Sequence, residues 1–596
     1  MKPLRVCFAL AVCLLSGAAH AETLAPELDL VQPAHFTRGK ATLVRVSGRN
    51  FGGRVKLLVP FPAEVREASS SDTVATFSIT PKAEVPLGRY PLRIIGPGGL
   101  SNLRLIAVSD LPVVAEQEPN DRFEQAQKLD VPCVVTGPLD HPARDIETFR
   151  IQVAAGSRLT IMTQTRALGL SPDLRLSLFD AKHRLLATAE GTPGLLEDER
   201  IDHTFAEAGE YFVRVHDADY ENIGWTNDYT LVIGDLNYVR SSFPLGVRRG
   251  EQTNITIRDR DGRPSTILTA ASDTPSGETR LLPLEKYPGS LPLPLSVGIH
   301  PEFLEDQLTA VEANAAERAD DERRVAWPAT INGRIAKPDE QDSFRLMVKP
   351  GQKLRVVVEA CFRGSQLDGQ LLVYDPAGKK LIAENNDTHS RGDVDPGLWF
   401  EAPAGVTEVV VALRDVFGRG GDEFPYRLTI EPGGPDFQIV LGKESFKAEN
   451  DRVRLYDRAD TLNLRPGVAA RLPISISRGQ EQSHYHFGPR HGFKGPITVR
   501  AVDVPAGIRV EAIIVPAGAT TGELVITADD NASREPLEFT IIGEATRDDG
   551  SKIRHVAERR FYLCEPAMSN MKWNYVARKV TAIVLKPEAG SHGGVQ

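Results

Sequence analysis

Asp173-Leu174-Arg175-Leu176-Ser177-Leu178-Phe179-Asp180 alternates apolar and polar side chains, and Asp368-Gly369-Gln370-Leu371-Leu372-Val373-Tyr374-Asp375 is a degenerate copy of it. The copies are separated by 195 residues (368 − 173). Phe149 matches Phe344, Gly156 matches Gly351, Leu159 matches Leu354 and Phe205 matches Phe400 at that same spacing. One gapless register from 149 to 205 means duplication, and repetition of this kind signals stacked structural units rather than one catalytic core.

Outward from this pair, period-two alternation dominates. Leu174, Leu176 and Leu178 form one face, Tyr211, Val213 and Val215 form another, and Leu354-Arg355-Val356-Val357-Val358 reads as a more buried run. The runs are short and punctuated by turn-forming stretches such as Gly96-Pro97-Gly98-Gly99, Pro376-Ala377-Gly378 and Pro432-Gly433-Gly434-Pro435. An all-β fold follows, a tandem array of about five β-sandwich domains of immunoglobulin-like and jelly-roll-like type. The one helical candidate is 311–324, rich in Ala, Glu and Arg, with a charged linker as its alternative.

The chain has 596 residues, more than a single core accommodates, and a prior of roughly 150 residues per domain agrees with four or five units. Met1-Lys2-Pro3-Leu4-Arg5, the apolar run from Val6 to Leu15, and Ala19-His20-Ala21 read as a cleaved secretory signal over 1–21. Val12 before Cys13 argues against a lipoprotein anchor. No later segment approaches the roughly 20 apolar residues of a spanning helix, so a periplasmic, cell-surface or extracellular location is expected. Beyond the signal, Cys133, Cys361 and Cys564 are odd in number and scattered, which leaves no disulfide framework within a domain. A net charge of −10 with interspersed signs lacks the basic footprint that nucleic acid requires.

Segment 25–110 resembles the IPT/TIG immunoglobulin-like family through Pro33, Gly39, Gly48-Arg49-Asn50-Phe51-Gly52, Val85-Pro86-Leu87-Gly88-Arg89-Tyr90 and Gly98-Gly99-Leu100-Ser101-Asn102. A degenerate echo occupies 236–310, where Phe243-Pro244-Leu245-Gly246, Arg249-Gly250, Thr253 and Ile257 keep the spacing of Arg38-Gly39, Thr42 and Val46. The long repeats, 115–235 and 311–432, resemble bacterial pre-peptidase C-terminal domains. The carrying residues are Glu116-Gln117-Glu118-Pro119-Asn120-Asp121, Gly137, Asp145-Ile146-Glu147-Thr148-Phe149, Gly156, Asp173 and Gly209-Glu210-Tyr211. Segment 436–584 reads as a further immunoglobulin-like sandwich, and 585–596 as a flexible tail.

Glu116, Glu118, Asn120 and Asp121 place four oxygen-bearing side chains within six residues, and Asp145 and Glu147 add two carboxylates just before a strand. Hard oxygen ligands of this kind suit calcium, with carbonyls or water completing about six to eight ligands. The resemblance implies the same ion, since some pre-peptidase domains bind calcium through a Glu-x-Glu-Pro-Asn segment and an Asp-x-Asp-x-Phe turn; here Glu147 stands where Asp is usual. A solvated acidic linker is the alternative. In the second repeat the matching stretch is read as Glu312-Ala313-Asn314 with Glu340 and Asp342, a poorer ligand set. His484, His486 and His491 form a histidine cluster able to take zinc or copper, or an ordinary loop. Tyr220, Trp225 and Tyr229 near Asp217 and Asp219 could stack on sugar or proline-rich ligands, or close a sandwich edge.

No His-Glu-x-x-His, no Gly-x-Ser-x-Gly and no glycine-rich phosphate loop is present, and five small sandwiches leave no stretch for a hydrolase core. The expected protein is an exported, non-catalytic binding or scaffold module for adhesion, an extended rod whose partners are extracellular protein or polysaccharide. The alternatives are an accessory substrate-binding subunit of a separate secreted hydrolase, and an unrecognised hydrolase.

Overall fold

A computed structural model describes residues 24–139, 145–192, 195, 198–218, 227–270, 279–282, 284, 286–287, 293–309, 322–387, 395–443, 456–478, 492–561, 563 and 575–585. Among these residues every regular element is a strand or one of four short 3-10 turns, so the all-β expectation holds. The signal segment, Cys564 and the histidine cluster His484, His486 and His491 lie outside the described residues, as do Asp219, Tyr220 and Trp225.

The two long repeats are built alike. In the first, one sheet runs Val113–Ala115, Cys133–Pro138, Asp228–Gly234, Arg158–Thr163, Arg200–Thr204 in spatial order, facing Gln127–Leu129, Glu147–Val153, Gly209–Asp217, Leu174–Asp180, Leu185–Ala189. The second repeats that order with Glu302–Leu304, Ala329–Arg334, Pro425–Pro432, Lys353–Glu359, Gly397–Glu401 facing Glu322–Val325, Gln341–Met347, Glu408–Asp415, Gly369–Tyr374, Leu381–Asn385. Alternation decides which residues fill the space between sheets. Leu174, Leu176 and Leu178 are buried against Phe149, Val213 and Val215 in one core, and Leu354, Val356 and Val358 against Phe344 and Val411 in the other. Each such side chain contributes about 1.5–3 kcal/mol on burial. Arg355 and Val357 are half-buried between the buried Leu354, Val356 and Val358, so this stretch, read as a more buried run, also alternates.

Two expectations change. The strand Glu302–Leu304 pairs in parallel with Ala329–Arg334, so the second repeat begins before 311. Glu322–Val325 is a strand pairing with Gln341–Met347, so the end of the proposed helix is extended chain; 310–321 lie outside the described residues. Sequence spacing missed the first of these because the entering strand carries Glu-Phe-Leu where the first repeat has Val-Val-Ala, which leaves no residue match to follow.

Segments 25–110 and 236–310 also share a plan. Glu27–Gln32, Thr42–Arg49, Val74–Pro81 and Ala63–Ser70 face a sheet in which His35–Thr37 runs parallel to Arg104–Ser109. The echo keeps Val239–Phe243, Gln252–Asp259 and Pro264–Ala270 facing a sheet in which Gly246–Arg248 runs parallel to Leu293–Gly298.

The rod expectation fails because the first and last sandwiches touch. Arg93 reaches Asp460 at 2.6 Å, with 6% and 4% of the two side chains exposed, and also donates to the Ser101 carbonyl. The Asn463 amide reads the backbone of the facing turn, accepting from Leu100 N at 2.9 Å and donating to Gly98 O at 3.2 Å. A Cβ on Gly99, whose φ is +116°, would collide with that amide, so glycine is needed there on two counts. Phe561, Leu563 and Ala577 join Leu168 and Leu170 of the first long repeat in the apolar cluster of the first sandwich. The contacts continue around the chain: Arg158 pairs with Asp261, Arg363 donates to Ser296 Oγ at 2.7 Å, and Arg547 donates to Pro435 O.

Removing one partner of a buried ion pair strands the other charge. Asp460→Ala is expected to cost about 3–5 kcal/mol in urea unfolding, and Arg93→Met with Asp460→Leu appreciably less. Equal losses in the two variants would show that the pair is solvated.

Candidate metal centre

The site of the first repeat is made by its entering strand. Ala115 pairs with Thr136, and Glu116 N donates to Thr136 O at 3.0 Å, which brings the Glu116 side chain over Gly137. A Cβ at Gly137 would collide with Glu116 Oε2: the carboxylate occupies the volume of the missing side chain. Gly137 pairs in turn with Tyr229. The chain then folds back on itself, with Asn120 N donating to Glu118 Oε2 at 3.0 Å, Asn120 Nδ2 to Glu116 Oε1 at 3.2 Å, and Thr148 N to Asn120 O at 3.2 Å. This last bond ties the loop to the start of the strand Glu147–Val153.

Beyond the loop, Phe123 stacks on His183 with ring centroids 3.9 Å apart and packs edge-on to Phe179 and Phe212. Arg214 lies over the Phe123 ring and donates to Asp121 O at 3.0 Å. Aromatic packing and a cation–π contact therefore fix the loop's far end.

Carboxylate oxygens of Glu116, Glu118 and Glu147 lie within 4.8 Å of one another, the one such group of three among the described residues. Glu147, Asn120 and Tyr229 are essentially fully buried. Five buried oxygens here make no well-formed hydrogen bond, although they lie close to one another: Glu116 Oε2, Asn120 Oδ1, both carboxylate oxygens of Glu147, and the Tyr229 hydroxyl. Leaving such groups unmatched costs about 1–3 kcal/mol each, more when charged. Burial, with Glu118, pushes the Glu116 carboxyl up to about 7 against a lowering hydrogen bond with Glu147; burial, with Glu116 and Asp145, pushes the Glu147 carboxyl up to about 11, and burial pushes the Tyr229 phenol well above its ordinary range. A cation would satisfy the oxygens and remove the repulsion at once. With an all-oxygen donor set the chemistry fits a hard ion such as calcium, held by Glu116, Glu118, Asn120 and Glu147.

Of the six residues expected from sequence, four converge. Asp145 is buried and adds its negative field to Glu147. Asp121 stands apart, its side chain exposed and its carbonyl engaged by Arg214. Tyr229, expected at a sandwich edge or in a stacking site, belongs to this cluster; only the cross-strand pairing with Gly137 reveals it.

The second repeat corrects the expected alignment. Leu304 pairs with Asn332 as Ala115 does with Thr136, so Glu305, not Glu312, takes the place of Glu116. A Cβ at Gly333 would collide with Glu305 Oε2 and with the Tyr426 hydroxyl, as Gly137 does with Glu116. Asp342 takes the place of Glu147, and Tyr426 that of Tyr229. Glu340 turns away to accept from Ala336 N and Lys337 N. Elsewhere, Cys133 is buried in the core and its thiol is pushed up to about 11, while Cys361 is half-buried; neither is disulfide-bonded.

No protein-family model matches this chain, and no curated protein matches it. Among solved structures it is similar to the pre-peptidase C-terminal domain of collagenase from Bacillus anthracis, 16% identical over 20% of this chain and 99% of that one, TM-score 0.15. It is similar to the periplasmic g-type lysozyme inhibitor PliG of Aeromonas hydrophila, 15% identical over 19% and 96% of the two chains, TM-score 0.16. It is also similar to SGBP-B of the Bacteroides ovatus mixed-linkage glucan utilization locus, 12% identical over 66% and 71%, TM-score 0.12.

Because Glu116 and Glu147 titrate above an unfolded glutamate at about 4.3, the fold prefers their protonated forms. Their contribution is complete below pH of about 4 and is lost as pH rises through about 7 and beyond. With calcium chelated, the melting temperature is expected to fall between pH 5 and 9, and saturating calcium to abolish most of that fall. Identical pH profiles with and without the ion would contradict the site. Gly137→Ala, which pushes Glu116 out of place, is expected to cost about 1–3 kcal/mol and to weaken calcium binding, checked by melting and calorimetry.

Proposed function

We propose that this chain is an exported, non-catalytic binding or scaffold protein whose first long repeat is stiffened by calcium. The observation that carries the reading is the set of unpartnered, buried oxygens around Glu147. They lie inside a sandwich, behind a loop held by Phe123 and Arg214, which supports an ion rather than a polymeric substrate as the ligand. Extracellular calcium-binding modules work at dissociation constants of about 10⁻⁴–10⁻³ M, so a site with this donor set is filled outside the cell. The secretory signal read at 1–21 supports the same compartment.

The resemblance of the repeats to pre-peptidase C-terminal domains, and of 25–110 to IPT/TIG domains, supports a binding role towards extracellular protein or polysaccharide. The contact between first and last sandwiches bears on how such binding works. Faces are held at fixed mutual positions by buried polar contacts such as Arg93 with Asp460, so the chain acts as a frame rather than gaining reach from length.

The test begins with calcium titration of the whole secreted chain by calorimetry. Saturable binding is expected, at least about tenfold weaker in Glu147→Gln, since tenfold corresponds to about 1.4 kcal/mol. Pull-down on insoluble polysaccharides and collagenous protein, with calcium and with chelator, then reads the binding role. Turnover of a peptide or glycan panel by the isolated chain would overturn the non-catalytic reading; an absence of calcium heat together with unchanged melting would overturn the metal.

A further inference from the structure

The second repeat keeps the geometry of the first site but solves its charge problem by other means. Tyr426 is fully buried, and its hydroxyl oxygen lies 2.7 Å from Asp342 Oδ2 and 3.0 Å from Glu305 Oε2. A phenol carries one hydrogen. Two short contacts to two carboxylate oxygens therefore require a second hydrogen, supplied by one of the carboxyls. Glu305 Oε2 already accepts from Arg334 N at 3.1 Å and so acts as an acceptor. Asp342, 2% exposed, is left as the proton carrier.

We infer that Asp342 is protonated at neutral pH and donates to Tyr426, which donates to Glu305, so that the second repeat holds a proton where the first holds a cation. The groups facing Asp342 come from each element packed on it: Tyr426 from Pro425–Pro432, Glu305 from the turn Glu305–Gln307, Glu340 from the preceding turn, and Arg323 from Glu322–Val325. Glu305 and Glu340 oppose ionisation of Asp342, and Arg323 partly offsets them. Burial together with this field pushes the Asp342 carboxyl up to about 8 and raises Glu305 as well. In the first repeat the corresponding hydroxyl, Tyr229, and both Glu147 oxygens make no well-formed hydrogen bond, although Glu116 lies beside them. The duplicated sandwiches would thus differ in that the first exchanges its proton for a divalent cation while the second keeps its proton. The contrast rests on the calcium reading of the first repeat; the proton in the second does not.

Because the folded carboxyl titrates above its unfolded value, its contribution is full below pH of about 4 and is lost as pH rises through about 8. The experiment uses the full chain with Trp225→Phe and Trp573→Phe, which leaves Trp327 and Trp399, both in the second repeat, as the reporters among the four tryptophans. Melting followed by their fluorescence in chelator is expected to fall on the order of 5 °C or more between pH 5 and 8.5, and Asp342→Asn to remove that fall and melt higher than the parent at pH 8.5. A flat parental profile, or Asp342→Asn melting lower at pH 8.5, would overturn the inference. Should Asp342→Asn fail to fold, calcium calorimetry of Glu116→Gln decides: no residual binding is expected, and a residual equivalent that Glu305→Gln removes would show a metal in the second repeat. Absence of calcium binding in the parent would sink the first-repeat reading alone and leave the pH profile to be read on its own terms.

Discussion

A carboxylate buried against another carboxylate must be neutralised, and both long repeats are organised around that constraint. In each, a short parallel strand enters the sandwich and delivers a glutamate over a glycine, beside a buried tyrosine and an acid at the start of the next strand. In water such a cluster costs little. Inside a sandwich, where the effective dielectric is lower, repulsion and desolvation make it untenable unless a positive charge or a proton joins it. The glycines Gly137 and Gly333 are consequences of this arrangement, since the carboxylate takes the space a side chain would fill.

Duplication preserved the backbone and let the chemistry diverge. The first repeat leaves oxygens unmatched behind a loop pinned by aromatic packing, the arrangement on which the proposed hard ion rests. The second shortens the acid from Glu to Asp, engages the tyrosine with both carboxyls and places Arg323 nearby. The second pairs its buried polar groups within the chain; the first would do so only with the proposed ion in place. They differ in what must be supplied from outside.

The five sandwiches are also less independent than their small size suggests. Polar residues of one unit are buried against the next: Ser296 against Glu359 and Arg363, Arg93 against Asp460. Buried ion pairs add little net stability compared with apolar packing, yet tolerate few alternative geometries, so they specify how the units meet. The shared apolar cluster of Phe561, Leu563 and Ala577 with Leu168 and Leu170 supplies the hydrophobic part of that junction.

The sequence alone determined the all-β class, the duplication and most of the first acidic cluster, because these are local properties. Period-two alternation dictates strands, a constant spacing betrays a copied unit, and acids crowded within six residues declare themselves. Tertiary structure alone decided that Tyr229 completes the first cluster, that Glu305 rather than Glu312 founds the second, and that the chain's first and last sandwiches meet. Tyr229 lies 113 residues from Glu116 (229 − 116), and Arg93 lies 367 from Asp460. Such pairings are set by strand register and by the packing of whole sandwiches, and neither leaves a periodic trace in the chain.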